Sequence, residues 1–395
     1  LKKNVFVTFF PSARNVHVTK GIGLIPFTMH KKYGYKSFIA SYGDESDYPA
    51  LNVTPGLRQW KIERKTVDSR IKRYLLYKML GADYIDYVNS AAFLKKNASQ
   101  IDILQIYHVH DNYVGLFAYL YKHYNPNGIL YLKLDCGDNT YNMCISKCKS
   151  PFYKDVKFKI RMSLLKKYCD IVSVESKKFM VGMQKIFGER MVYIPCGCFE
   201  DDADIKIMSE RKNYFLSVAN LSLWKGTDIL IEAFAQIMDR CDWSLVLAGP
   251  VIAPLDKRIE DILNKYPKVK DRVTFLGNIQ EKSELYSVYR EAKAFVLPTK
   301  GESFGTVFVE AKYNGCYTIL TEKVAPKDDL IIHENEGCII PVDDVDALAN
   351  ALLETTKKEI YNENNYRFLN EEYHRRFSYF STLDSLQKKI EDLSV

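Results

Sequence analysis

Short, almost uninterrupted apolar runs alternate with helix-like stretches along the whole chain, and this alternation restricts the fold more than any other feature. In the first half "NVFVTFF", "YKSFIAS", "DILQIYHV", "GILYLKLD", "CDIVSVES" and "RMVYIP" read as strands, and "IGLIPFTMHKKYG" as a helix stopped by Gly34. The second half repeats the scheme with "YFLSVAN", the helix "GTDILIEAFAQIM", then "WSLVLAG", "RVTFLGN", "AFVLP", "YTILTE" and "GCIIPV". Strands apolar on both faces belong to parallel sheets covered by helices on each side. The pattern predicts an α/β chain with two Rossmann-like domains, residues 1–205 and 206–375, meeting at the acidic stretch "CFEDDADIKIMSERK". A C-terminal helix over 376–395 is expected to return to the first domain. Ligands of such sheets bind beyond the carboxyl ends of the strands, which predicts an active site in a cleft between two facing domains.

The 395 residues suffice for two sizeable cores, and no run reaches the ~18 apolar residues of a spanning helix. The opening "LKKNVFVTFF" reads as a first strand rather than a leader. The nine cysteines are scattered through apolar stretches, which fits reduced thiols and a cytoplasmic location. Neither Cys136, Cys144 and Cys148 nor Cys196 and Cys198 has zinc-ligand spacing, so no metal site is expected. Charge is unevenly shared. Residues 1–205 hold 31 Lys and Arg against 19 Asp and Glu, a formal +12, whereas 206–395 hold 25 against 30, a formal −5.

The stretch "TKGESFGTVFVEAKYNG" holds two glutamates eight positions apart, Glu302 before a predicted helix and Glu310 within it. The apolar "AKAFVLP" ahead of it reads as a buried strand, which places Glu302 in a strand-to-helix turn. The first N–H groups of the helix, near Gly305, Thr306 and Val307, are donors ready to receive a phosphate. Helical side chains lean toward the N-terminus, so Glu310 is directed at the same place. Two carboxylates flanking an anion pocket match a ligand with phosphate in the middle and hydroxyls at both ends, the layout of a nucleotide-sugar. Lys225, between the strand "YFLSVAN" and the Gly226 that opens the next helix, adds a cation for a departing diphosphate.

At this point a resemblance emerges. "VANLSLWKGTDILIEAF", "LAGP", "VTFLGNI", "ELYSVYREAKAFVLPTKGESFGTVFVEA" and "GCIIPVDDVDALANAL" resemble the C-terminal domain of retaining glycosyltransferases with the GT-B fold. More narrowly they resemble the large family 4 group (Glycosyl transferases group 1), typified by mannosyl- and hexosyltransferases of bacterial glycan assembly. The likeness covers roughly residues 213–356; the first half matches only in layout. It implies that Glu302 binds hydroxyls of the transferred sugar and Glu310 the ribose. It assigns the diphosphate to Lys225 and the N–H groups of Ser303, Phe304, Gly305, Thr306 and Val307, and the base to the loop of Leu276, Gly277, Asn278 and Ile279. "HVTKGIG", with Gly21 and Gly23, is similar to the family's glycine loop near diphosphate and acceptor.

Three positions depart from the family. Asn220 stands where an arginine is usual, Cys196 turns "PNG" into "PCG", and Asp135 occupies the place of a histidine. Asp135 can orient an acceptor hydroxyl or accept its proton. His108 and His110, alternating in "IYHVHDN", are rivals for that role and are expected on one face of an extended segment.

The resemblance implies transfer of a hexose-like sugar from a nucleotide diphosphate donor to an acceptor hydroxyl with retention and without metal or other cofactor. Residues 1–205 would take the acceptor and 206–375 the donor. The basic runs "WKIERKTVDSRIKRYLLYKML" and "FYKDVKFKIRMSLLKKY" read as two amphipathic helices. They are expected either to be simply solvated or to bring a lipid-linked or glycan acceptor by lying on the anionic inner face of the cell membrane. In the second case Arg70, Lys72, Arg73, Lys157 and Lys159 supply charge, and Trp60, Tyr74 or Phe152 anchors. No nucleic-acid module is present. A soluble acceptor, as in sugar-phosphate synthases, and a non-catalytic nucleotide-sugar-binding scaffold are the alternatives.

Overall fold

A computed structural model describes residues 4–109, 111, 113–151, 153–201 and 211–394. The chain forms two compact units, Leu1–Gly197 together with Tyr379–Val395, and Cys198–Ser378. The first segment ends at Gly197 rather than 205 because the residues that follow are bonded into the second unit. Tyr286 Oη donates to the Phe199 carbonyl at 2.7 Å, Ser378 Oγ to Glu200 at 2.6 Å, and Arg290 to both oxygens of Asp201 at 2.6 and 2.8 Å. The same Glu200–Ser378 bond carries the second unit three residues past the expected 375.

The first unit contains β1 (Val5–Phe9), β2 (Lys36–Ser41), β3 (Leu57–Lys61), β4 (Ile103–Tyr107), β5 (Ile129–Lys133), β6 (Ile171–Val174) and β7 (Met191–Tyr193). They form one parallel sheet in the order β3-β2-β1-β4-β5-β6-β7. Strands β4, β5 and β6 are buried along their full length, as a sheet covered on both faces requires. The helix Gly21–Tyr33 ends at Gly34, whose φ of 76° is the left-handed stop expected. At the chain's end, Asp384–Asp392 packs on β7, and Asp384 takes Lys32 at 2.7 Å.

The second unit contains β8 (Lys212–Val218), β9 (Ser244–Ala248), β10 (Val273–Gly277), β11 (Ala292–Leu297), β12 (Tyr317–Thr321) and β13 (Gly337–Ile340). All pairs are parallel, in the order β10-β9-β8-β11-β12-β13. Phe215, Leu230, Phe234, Trp243, Leu245 and Val296 lie in its core, each buried. Such side chains each contribute about 1.5–3 kcal/mol by leaving water.

The run from Trp60 to Leu80 is not one helix. Gly56, at φ 91°, turns the chain into β3, which pairs with β2 from Ser37–Leu57 to Ser41–Lys61. The Trp60 ring packs against Phe38 at 5.2 Å and Phe93 at 5.5 Å, so it is committed to the protein rather than offered as a surface anchor. The helix begins only at Arg70 and runs to Leu80, with Ser69 Oγ accepting the Lys72 N–H. It leaves Ile71, Tyr74, Leu75 and Tyr77 exposed. The second basic run is the helix Val156–Tyr168, which buries Phe158, Met162 and Leu165. Its Lys159 ammonium is bonded to the Ser150 carbonyl. Phe152 lies outside the described residues. No helix among those described is long and apolar enough to cross a membrane.

Candidate functional site

In the second unit the site grows from the carboxyl ends of two neighbouring strands, β8 and β11. After β8, Ser222 Oγ accepts the Lys225 N–H at 3.3 Å and Gly226 turns the chain at φ 68°. A Cβ on Gly226 would sit 2.1 Å from the Pro298 carbonyl, so only glycine lets the two strand ends approach this closely. After β11, the Gly301 carbonyl accepts Trp224 Nε1–H at 3.2 Å and Thr299 Oγ1–H at 3.0 Å, while Lys300 N–H bonds to Trp224 O at 2.9 Å. Glu302 is held by its own backbone, its carbonyl accepting the Ala325 N–H at 3.0 Å. These contacts place the Lys225 ammonium on the Glu302 carboxylate, both about one-fifth exposed.

Gly305, at φ 74°, then starts the helix Thr306–Tyr313, whose first N–H groups have no earlier intrahelical acceptor. Phe304 is buried against Phe377 at 6.3 Å, while Ser303 is exposed. Glu310 is only 5% exposed. One of its oxygens takes the Lys282 ammonium and the other the Tyr289 hydroxyl at 3.4 Å. Gly277, Asn278 and Ile279 form the outer end of β10 and the start of the loop leading to the helix Lys282–Glu291. The two motif carboxylates, Lys225 and the helix N-terminus therefore share one sheet edge. Asn220 is exposed at the end of β8.

In the first unit the sheet reverses its strand order between β1 and β4. His108 (φ 61°) and Asp135 (φ 49°) follow β4 and β5, both in the left-handed region that side chains other than glycine seldom adopt. Backbone strain of this kind persists where surrounding contacts over-determine it. The His108 Nδ1 and Asp135 Oδ2 atoms are 3.5 Å apart. His108 itself leaves the extended conformation, and His110 lies outside the described residues. Beneath Asp135, Glu175 accepts the N–H groups of Asp135 at 3.1 Å and Cys136 at 3.0 Å and pairs with Lys133. Burial pulls Lys133 toward neutrality, yet the opposing negative charge holds it charged well above its ordinary range. That charge is Glu175, because burial pushes the Cys196 thiol up to about 12 and leaves it neutral.

Gly21 and Gly23 occupy the first turn of the helix Gly21–Tyr33. A Cβ on Gly23 would lie 2.1 Å from the Val18 carbonyl, and one on Gly21 would lie 2.8 Å from the Tyr379 hydroxyl. Beyond β1 and β2, a cavity of about 300 Å³ is lined by Arg14, Asn15, Asp47, Tyr48, Arg64 and Asp86 among others. His17 links this cavity to His108: its Nδ1 accepts the Arg14 N–H at 2.9 Å, and Phe10 packs on both rings. Burial first, then Lys20, Arg14 and His108, holds the His17 imidazole below its ordinary pKa and therefore neutral near pH 7. Sequence reasoning missed Lys282, Tyr289, His17 and the Lys133–Glu175 pair. A buried lysine within the strand "ILYLK" was the one local signal available. Among the described residues no group of three or more His, Cys, Asp or Glu side chains is placed to hold a metal ion.

Residues 199–372 match the model of the family described as Glycosyl transferases group 1. The lipopolysaccharide core biosynthesis mannosyltransferase LpsB of Rhizobium meliloti is 29% identical over 132 residues, 32% of this chain and 36% of LpsB. The N-acetyl-alpha-D-glucosaminyl L-malate synthase of Bacillus anthracis is 26% identical over 159 residues, 40% of this chain and 39% of that enzyme. The chain thus spans little more than a third of the length of these relatives. Among solved structures, Anabaena HepE in complex with UDP superposes with a TM-score of 0.69 at 14% identity, covering 98% of this chain and 100% of HepE. The sucrose-phosphate synthase of Thermosynechococcus elongatus gives 0.68 at 18% identity, covering 99% of each chain. Each unit is Rossmann-like and the fold is that of GT-B structures; the match to Glycosyl transferases group 1 is confined to residues 199–372, less than half of the chain.

Proposed function

We propose that the chain is a retaining glycosyltransferase that moves a hexose-like sugar from a nucleoside diphosphate to an acceptor hydroxyl in bacterial glycan or glycolipid assembly. The observation that carries this reading is the gathering of Lys225, Glu302, Glu310 and a helix N-terminus on one sheet edge, inside the segment that matches the family. The acceptor oxygen bonds to the anomeric carbon as the bond from that carbon to the diphosphate breaks. Lys225 and the first-turn N–H groups take the charge that develops on the leaving group, so no resident metal is required. Glu302 holds hydroxyls of the sugar and Glu310 those of the ribose. In the first unit Asp135, with His108 beside it, orients the acceptor hydroxyl, whose proton passes to the departing phosphate. The cavity bounded by Arg14, Asp47, Arg64 and Asp86 offers donors and acceptors for a hydroxylated acceptor.

Thermal shift of the purified chain against UDP-, GDP-, dTDP- and ADP-sugars tests the donor reading. A ligand at a hundred times its dissociation constant adds about 2.7 kcal/mol of stability. Stabilisation by none of them refutes the reading, as does transfer that yields the inverted anomer for the stereochemistry. Turnover should persist in EDTA.

The exposed helix Arg70–Leu80 supports a second element, a location on the cytoplasmic face of an anionic membrane. Four cations, Arg70, Lys72, Arg73 and Lys78, accompany exposed Ile71, Tyr74 and Leu75. Flotation with anionic vesicles should decline with salt and weaken on charge reversal at Arg70, Lys72 and Arg73. Equal behaviour with neutral and anionic vesicles at low salt favours a soluble acceptor instead.

A further inference from the structure

Glu310 is nearly closed off from solvent. Its carboxylate side chain is 7% exposed, one oxygen lies against the Lys282 ammonium, and the other faces Tyr289 Oη at 3.4 Å. A hydroxyl must reach the surface of a carboxylate to donate to it, and here the side chains already in contact cover nearly all of that surface. Tyr289 is fully buried and fixed in the core, whereas Lys282 is 22% exposed, on a four-carbon stem, at the first position of its helix. Lys282 is therefore the group able to leave. It also stands directly beyond the loop that begins at Gly277.

We propose that Lys282 is a latch that competes with the nucleotide's ribose for Glu310 and thereby sets donor affinity. The inference rests on the assignment of Glu310 to the ribose made above. In the latched state the ammonium neutralises a buried carboxylate that would otherwise be costly to maintain. In the unlatched state the ribose hydroxyls take its place, and the ammonium turns to water. Apparent affinity is the intrinsic affinity multiplied by the fraction unlatched, so the latch weakens binding while stabilising the empty protein.

The experiment uses calorimetry of the full chain with UDP, GDP and ADP, on wild type, Lys282→Met and Lys282→Arg, with melting curves and circular dichroism. Lys282→Met should melt lower than wild type when empty, because Glu310 has lost its counter-charge. It should nevertheless bind the nucleotide that wild type binds about tenfold more tightly, the gain expected if about nine molecules in ten are latched. Lys282→Arg keeps the cation and should bind no more tightly than wild type. The gain should vanish for the 2′,3′-dideoxy form of the same nucleotide, which has no hydroxyl to offer Glu310. If Lys282→Met does not fold, Lys282→Gln serves the same comparison without the charge. Equal or weaker binding by a folded variant overturns the latch and leaves the glycosyltransferase reading standing. A gain that persists with the dideoxy nucleotide also overturns it, since the ribose hydroxyls then play no part in the effect. If wild type binds none of the three and is stabilised by none of the four nucleotide-sugars named above, the glycosyltransferase reading fails and the latch fails with it.

Discussion

The pair Lys133–Glu175 offers a stringent test of how the first unit holds its strained edge. Its side chains are 3% and 1% exposed, and Glu175 also accepts two backbone N–H groups, from Asp135 and Cys136. Glu175→Gln keeps the shape and an acceptor oxygen but strands the Lys133 ammonium in the interior. Breaking a buried pair from one side costs about 3–5 kcal/mol. Lys133→Met leaves the carboxylate with its two N–H donors, so the loss should be smaller, about 1–3 kcal/mol. The double variant removes both charges together and should return to within about 1 kcal/mol of wild type. The cycle therefore predicts a coupling of at least about 3 kcal/mol. Urea denaturation reads the total. Native-state hydrogen exchange of the β5 and β6 amides assigns it to the first unit, because a chain of two units is not bound to unfold in one step. Additive single losses, or a double variant as unstable as Glu175→Gln, would refute the argument that Glu175 is the counter-charge.

Other outcomes follow from the same contacts. Lys225→Ala and Glu310→Gln should weaken nucleoside diphosphate binding, whereas Glu302→Gln should mainly affect intact nucleotide-sugar and turnover; each loses about 1.5–3 kcal/mol, read by calorimetry and kcat/KM. Unchanged donor affinity in all three folded variants would sink the assignment. Asp135→Asn should lower kcat with donor binding intact, and full activity in both Asp135→Asn and His108→Ala would leave acceptor activation to the donor phosphate. Lys312, with its side chain 3% exposed and 3.4 Å from Glu336, has its pKa lowered by burial to about 8. Between there and about 10.4, the value in the unfolded chain, the unfolded state binds more protons, so stability gains from rising pH. Wild type should gain about 1–3 kcal/mol on Lys312→Met between pH 7 and pH 10 in urea titrations; a gap that narrows instead contradicts this sign.

What could be read beforehand depended on the range of the forces involved. Central strands such as β4 and β5 were legible because burial on both faces makes them continuously apolar. The outermost strand of the first sheet, β3, was hidden because "LRQWK" shows only one apolar face and merges with the basic residues after it. Glu302, Gly305 and Glu310 were legible as a set because a strand, a turn and a helix place them within nine residues of one another. Lys225 joined them through its place after a strand. Lys282 reaches Glu310 across 28 positions and Lys133 reaches Glu175 across 42. Partnerships at that separation depend on how strands and helices are packed, which no local spacing encodes. The left-handed backbone at His108 and Asp135 was equally hidden, since neither residue type announces it.

The Glu200–Ser378 hydrogen bond places the two ends of the second unit side by side, with the chain entering at Cys198 and leaving at Ser378. The second unit is thus an insertion into the first, and the two differ in what they need during synthesis. Residues 198–378 form a continuous stretch that can complete its fold as it leaves the ribosome. The first unit is begun earlier yet finishes later, because it also needs Tyr379 and the helix Asp384–Asp392, which emerge after the second unit. Until then the surface around Gly21 that Tyr379 covers stays open, and β7 lacks the helix that packs on it. The nascent half made first is consequently the one in greater need of protection, and loss of the last seventeen residues would damage it rather than the half to which they are nearest in sequence.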